Sequence, residues 1–287
     1  MARERSGGAL LSTLDAEHAE WRPLLSLVEA ALGEMKRPVW SESVPAREHS
    51  AALGQPLLSG VIIQIAPDPV RRWIHRAMTI AGAGASAIPF VDALAAGRLD
   101  PLALFEAAVA GDPDRLEDLA GAAGDDRGVL KVVAPILAMP MLHACRRAWT
   151  PLVPAAWAES YCPICGDWPT LAETRGLDGQ RRLRCGRCGG DWRTERLRCP
   201  FCQARQSRDM VRLVAEGAEE GYFVEACLAC RGYLKGLDRR ERWNGASPLV
   251  EDWASPHLDY YAAREGYWRA TPSLAQLLPP GEEDPAP

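Results

Sequence analysis

Apolar positions recur three or four residues apart through roughly the first 155 residues, the spacing of helices that bury one face. Asp68-Pro69, Asp100-Pro101 and Asp112-Pro113 each set a capping acceptor before a proline whose φ is already helical and which has no amide to satisfy. Helices are expected to begin there, over PVRRWIHRAMTIAGAG, PLALFEAAVAG and PDRLEDLAGAAG, with glycines as stops. A further helix is expected from about Gly128 towards Arg147, bent or broken by Pro135 and Pro140.

From about residue 160 the pattern changes to short candidate strands divided by turn signals. LDGQ at 177–180 lies between TLAETR and RRLRC, which predicts a hairpin turning at Asp178-Gly179. MVRLVAE and YFVEAC, separated by the polar GAEEG, predict a second. Such strands are too short and polar to make a large sheet unaided, so something else has to hold them. A closing helix is expected in HLDYYAAREGYW, capped by Ser255-Pro256, and the tail LPPGEEDPAP has nothing to bury and should be disordered. No fixed-period repeat is evident, and AGAGAS at 81–86 lacks the preceding strand a phosphate loop needs, leaving a helix contact or helix end.

With 287 residues, 47% apolar and 25% charged, the chain has the composition of a globular protein of about two domains. Asp15, Glu17 and Glu20 interrupt the N-terminal apolar run too early for a signal peptide, and VVAPILAMPML at 132–142 is too short to span a bilayer. The expectation is a cytoplasmic protein without membrane insertion. In that reducing compartment nine cysteines point to metal binding or catalysis rather than disulfides.

Eight of the nine fall into C-x-x-C pairs: Cys162/Cys165, Cys185/Cys188, Cys199/Cys202 and Cys227/Cys230. Two such tight turns complete a tetrahedron of sulfurs around one ion, so four turns make two sites. Sequential pairing encloses one predicted hairpin per site, giving Cys162, Cys165, Cys185 and Cys188 in the first and Cys199, Cys202, Cys227 and Cys230 in the second. Interleaved pairing stays open. Tetrahedral thiolates accept iron or zinc, so two ions of either metal are expected. Cys145 stands apart, two residues from His143 and on a different helical face, and reads as a buried thiol; His18, His49, His75 and His257 receive no role.

Net charge is −5, yet residues 181–212 hold ten arginines against Asp191, Glu195 and Asp209, a local +7. Arg184, Arg187 and Arg198 adjoin the cysteines and could offset the thiolate charge, or the stripe could be a binding face.

The order CPICG, RCGRCGGDW, RLRCPFC and VEACLACRGYLK, followed by VEDWASPHLDYYAAREGYW, resembles the formate dehydrogenase accessory protein family, FdhE type. Gly232, Tyr233, Leu234 and Lys235 match its Gly-Tyr-Leu-Lys element, and Leu258, Asp259 and Glu265-Gly266-Tyr267 match its closing helix. Arg231 departs from the histidine the family often carries there. The resemblance covers roughly 160–270. It implies an α+β multidomain chain: an all-α domain (1–158), two rubredoxin-like or zinc-ribbon modules (159–198 and 199–272, the second with a C-terminal helix), and a disordered tail (273–287).

The resemblance further implies a non-enzymatic maturation factor that binds the catalytic subunit of respiratory formate dehydrogenase. In that reading Gly232, Tyr233 and Lys235 form part of the partner surface; the alternative is a strand that closes the second ribbon. A second functional reading is a nucleic-acid-binding ribbon protein, using the arginines and Trp192 for phosphates and base stacking. A third is a thiol or electron-transfer enzyme, although no catalytic constellation is visible.

Overall fold

Aspartate, proline and glycine set the helix boundaries of the first half. The computed structural model describes residues 7–47, 54–83, 87–124, 128–214, 221–239 and 247–271. Its leading helices are α1 (Gly7–Glu17), α2 (Arg22–Glu34), α3 (Pro38–Glu42), α4 (Pro67–Ala81), α5 (Ile88–Ala95), α6 (Pro101–Ala110), α7 (Pro113–Ala123) and α8 (Val129–Trp149). Asp100 Oδ1 accepts from the Leu102 amide and Asp112 Oδ1 from the Arg115 amide, each at 3.1 Å, so both caps form as the sequence predicts. Both helices stop on left-handed glycines, Gly111 at φ 68° and Gly124 at φ 79°. At α4 the boundary differs: the helix starts at Pro67, leaving Asp68 inside the first turn beside Arg71, with no side-chain cap.

The largest departure in this half is α8, which runs unbroken through Pro135 and Pro140. Proline removes one helical amide and crowds the preceding turn, but nearly every α8 residue from Leu130 to Cys145 is buried, and the Trp73 indole donates to the Leu137 carbonyl at 2.9 Å. Packing against α2, α3, α4 and α6 outweighs the local defect. Among the described residues this is the one helix long and apolar enough to cross a bilayer, with 72% of its most apolar stretch buried inside the protein.

The second half is a six-stranded sheet: β1 (Leu171–Arg175), β2 (Gln180–Arg184), β3 (Asp191–Arg193), β4 (Met210–Leu213), β5 (Tyr222–Cys227) and β6 (Tyr233–Arg239), in spatial order β3-β2-β1-β6-β5-β4. Both predicted hairpins are present. Arg175 pairs with Gln180 across the first turn, with Gly176 at φ 68° and Gly179 at φ 64°, and Met210 pairs with Cys227 in the second. Most of GAEEG, the end of AGAGAS and the 273–287 tail lie outside the described residues.

Sequence reading treats the ribbons as separate modules, whereas the structure joins them. β1 and β6 pair in parallel from Leu171↔Lys235 to Arg175↔Arg239. Each hairpin would otherwise leave an edge of unpaired amides and carbonyls, and the seam satisfies both edges at once. α9 (Pro248–Trp253) and α10 (Pro256–Arg264) follow, and Leu258 and Ala262 of α10 join Leu171, Tyr222, Val224, Ala226, Tyr233 and Leu237 in one core. Ser255 precedes α10 but donates its hydroxyl to the Glu251 carbonyl of α9, so it ties the two helices instead of capping the second.

The chain thus divides into two compact units, a helical one from residues 11–51 and 57–153 and a sheet unit from 1–10, 52–56 and 154–287. Gly236 shows how tightly the sheet is fitted. It pairs with Phe223, itself 2% exposed, and a Cβ at Gly236 would overlap the Phe223 ring. Gly236→Ala should therefore cost about 1–3 kcal/mol, as an overpacked core does, measured as a lower urea midpoint with the sheet's amides exchanging faster.

Candidate metal centres

Each C-x-x-C pair occupies the same turn closed by two backbone hydrogen bonds, and the backbone repeats it four times. The amide of the first cysteine donates to the carbonyl five residues on: Cys162 to Asp167, Cys185 to Gly190, Cys199 to Ala204 and Cys227 to Gly232, at 2.8 to 2.9 Å. The amide four residues on returns to the first cysteine's carbonyl, from Gly166, Gly189, Gln203 and Arg231 respectively. Closing so tight a loop requires left-handed backbone at that fourth position, and φ there is 81°, 71°, 66° and 62°. Two turns use glycine, as conformational cost favours. The other two use glutamine and arginine.

These turns alternate with strands in one order, twice: turn, hairpin, turn, strand. Cys162 and Cys165 precede β1, and Cys185 and Cys188 lie between β2 and β3; Cys199 and Cys202 precede β4, and Cys227 ends β5 with Cys230 following it before β6. Folding each hairpin back brings its two turns together. The sulfurs accordingly gather as Cys162, Cys165, Cys185 and Cys188 and as Cys199, Cys202, Cys227 and Cys230, all four ligand atoms in each group lying within 4.8 Å of one another. The interleaved alternative is not what the fold assembles, and none of the nine cysteines forms a disulfide.

The donor chemistry fits a tetrahedral ion. Sulfurs about 2.3 Å from a metal sit roughly 3.8 Å apart at the corners of a tetrahedron. Cys199 and Cys230 are 3.7 Å apart, as are Cys202 and Cys227, while Cys162–Cys188 is 3.4 Å and Cys165–Cys185 is 3.5 Å. Amides of Gly190 and Gly232 reach the Cys188 and Cys230 sulfurs at 3.4 Å, the contacts a bound thiolate accepts. Burial pushes the Cys162 thiol up, while bonding to Cys162 and its neighbours holds Cys165 well below its ordinary range. Four sulfurs this close are all thiolates together only around a cation. Each group could hold one ion, and four thiolates suit zinc.

Part of the arginine stripe is taken up by the fold. Arg181 donates to Glu225, Arg182 to Asp191, Arg184 to Glu173, and Arg212 lies 3.5 Å from the centre of the Phe223 ring. Of the three arginines expected to offset thiolate charge, Arg187 does so: burial would lower its pKa, but Cys165, Asp167 and the other sulfurs raise it. Arg198 instead bonds the Ala158 carbonyl and the Gln203 side chain. Trp192, proposed as a stacking surface for a base, is 2% exposed within β3. The nucleic-acid reading thus loses Trp192 as a stacking surface and Arg181, Arg182 and Arg184 as free cations, while Arg193, Arg196, Arg205 and Arg208 stay exposed.

A second correction concerns Gly232, Tyr233 and Lys235. Tyr233 is 1% exposed and Lys235 fully buried, so as placed neither can meet a partner. Tyr233 donates its hydroxyl to Asp259 at 2.7 Å, and Lys235 Nζ lies 2.9 Å from Asp252 and 2.7 Å from Asp259. Arg269, also buried, bonds the same two carboxylates at 2.9 and 2.8 Å. Gly232 bridges to Trp268, whose indole donates to the Cys230 carbonyl at 2.7 Å. These residues close the second ribbon and bolt the C-terminal segment onto it, which is the strand alternative. Sequence could not show this, because the matching carboxylates lie 17 and 24 residues downstream of Lys235. Cys145 is fully buried in α8.

Aromatic rings are among the groups that reach solvent near the second group. Trp168, Phe201 and Trp268 form a ladder with ring centres 5.8 and 5.1 Å apart, and Trp168, Leu197, Leu228 and Trp268 are each 38 to 45% exposed.

No family model matches the chain. Among curated proteins it is similar to the FdhE homolog of Stutzerimonas stutzeri, 38% identical over 128 residues, which is 44% of this chain and 40% of that protein. The FdhE homolog of Aquifex aeolicus is 33% identical over 39% of this chain and 40% of its own length. Protein FdhE of Escherichia coli is 31% identical over 63% of this chain and 60% of that one. The matched part thus spans about 40% of the length of the first two relatives. The crystal structure of the FdhE protein from Pseudomonas aeruginosa superposes with a TM-score of 0.60 at 23% identity, covering 97% of this chain and 96% of that one, which shows a shared fold.

Proposed function

We propose, from the premise that this chain belongs to the FdhE family, that it is an accessory factor for formate dehydrogenase, acting by binding and not by catalysis. The observation that carries the proposal is the doubled four-sulfur turn, in a chain similar to FdhE proteins. In this reading Cys162, Cys165, Cys185 and Cys188 ligate one ion and Cys199, Cys202, Cys227 and Cys230 another, zinc or iron, each supplying rigidity to loops that have little core of their own.

The ions hold a surface, and the surface binds the catalytic subunit. With Tyr233 and Lys235 buried, we place the contact on the Trp168, Phe201 and Trp268 ladder. Exposed Trp168 and Trp268, joined through the half-buried Phe201 ring, have the composition of an interface centre. Metal-loaded full-length protein carrying an affinity tag should capture the catalytic subunit of formate dehydrogenase from cells that make it. Trp168→Ala, which removes no hydrogen bond to a cysteine turn, should weaken capture by about 2 kcal/mol, the scale of an interface anchor. Undiminished capture by that variant, with both ions retained, would remove the ladder from the interface; no capture by the wild type would remove the partner.

A further inference from the structure

We infer that the two sulfur groups are unequal, and that the second is an exchange site whose ion an external thiolate can reach and re-ligate at Cys202. This deepens the metal-holding reading above and rests on it.

Three independent features distinguish the groups. The first is access. Cys162, Cys185 and Cys188 are fully buried and Cys165 half-buried, whereas the second group sets a half-buried Cys230 and an exposed Cys202 beside buried Cys199 and Cys227. Access to a bound ion runs along its most exposed ligand.

The second is the turn chemistry. Both turns of the first group relax their left-handed position with glycine, while the second group puts Gln203 and Arg231 there. A left-handed non-glycine residue is strained and persists only where its surroundings hold it. Here the side chains do the holding. Gln203 donates to Ser160 Oγ at 2.6 Å and to the Pro200 carbonyl at 3.2 Å, and accepts from Arg198. Arg231 bonds the Glu265 carbonyl and lies 3.9 Å from the centre of the Tyr267 ring. Both turns are strapped to the protein through bonds that bypass the ion, so Cys202 can leave and return without its turn collapsing.

The third is enclosure. Thr170 accepts from the Gly186 amide at 2.9 Å, Asp167 and Arg187 flank the first group, and Pro56 packs over Gly166. Around the second group the cover is the exposed ladder and Leu228.

A soft ion in a thiolate cage prefers a soft replacement, so the entering ligand is a thiolate. In the exchange an external thiol loses its proton as its sulfur, now a thiolate, bonds the ion, the Cys202–metal bond breaks, and Cys202 takes up that proton. No electrons are transferred and total charge is unchanged.

The test uses full-length protein reconstituted with two equivalents of zinc, challenged with pyridylazoresorcinol in the presence of N-ethylmaleimide, with labelled peptides read by mass spectrometry. One equivalent should leave about tenfold or more faster than the other, with Cys202 the first cysteine labelled. Cys202→Ser should abolish the fast phase and keep the slow equivalent. Release of both ions at one rate, or earlier labelling of Cys165, would overturn the inequality while leaving two metal sites standing. Failure to take up any zinc would overturn the metal-holding reading with it.

Discussion

Cys188→Ser in the full chain is expected to lose the first ion and with it the sheet and the second site, while retaining the helical unit. Cys188 is fully buried 3.4 Å from Cys162, and its sulfur accepts from the Gly190 amide. A thiolate-bound structural ion contributes about 10–16 kcal/mol of folding free energy, against a net domain stability of about 5–15 kcal/mol. Losing it should exceed the whole margin of the unit. The loss cannot stay local, because β1 pairs with β6 along its entire length. Amide exchange should show β1, β2 and β3 unprotected and β5 and β6 following them, with α8 amides unchanged. Metal analysis reporting one ion beside a fully protected sheet would show that the ions decorate the fold without holding it.

Lys235→Met is expected to cost about 3–5 kcal/mol at neutral pH, the penalty for leaving buried charge unpaired. Lys235 and Arg269 face Asp252 and Asp259, two cations against two anions in a site where all four are at most 8% exposed. Removing one cation leaves a buried negative excess. Burial would push the Asp259 carboxyl up, yet Lys235 and then Arg269 hold it below the usual carboxylate range. A depressed folded pKa contributes stability that is present above the unfolded value, about 3.9, and lost as pH falls through the folded one. The gap between wild type and Lys235→Met in urea midpoints should therefore narrow below about pH 4. A gap under about 1 kcal/mol at pH 7 would place this quartet among ion pairs that merely break even.

How much of this was legible beforehand depends on the range of each interaction. Caps at Asp100 and Asp112 are local, and the sequence shows them. Grouping of the eight thiols is nearly local, because each hairpin supplies its own return. The β1–β6 seam spans some 60 residues, and nothing in either strand names its partner. Lys235 in a strand looks exposed until Asp252 and Asp259 arrive from α9 and α10. The left-handed residues were within reach: aligning the four turns places Gln203 and Arg231 at the position where Gly166 and Gly189 stand. The continuity of α8 through two prolines was not, since it comes from burial on every side.

The parallel seam also imposes an order of events at the ribosome. β1 emerges with its own hairpin, but the neighbour that completes its far edge is β6, made only after the second pair of cysteine turns has been synthesised. Throughout that interval the nascent first ribbon has an open flank, and such long-range pairing is slow to close. An early ion clamp on the first ribbon would preserve it until its last neighbour arrives, so the yield of intact protein is expected to follow metal supply during translation.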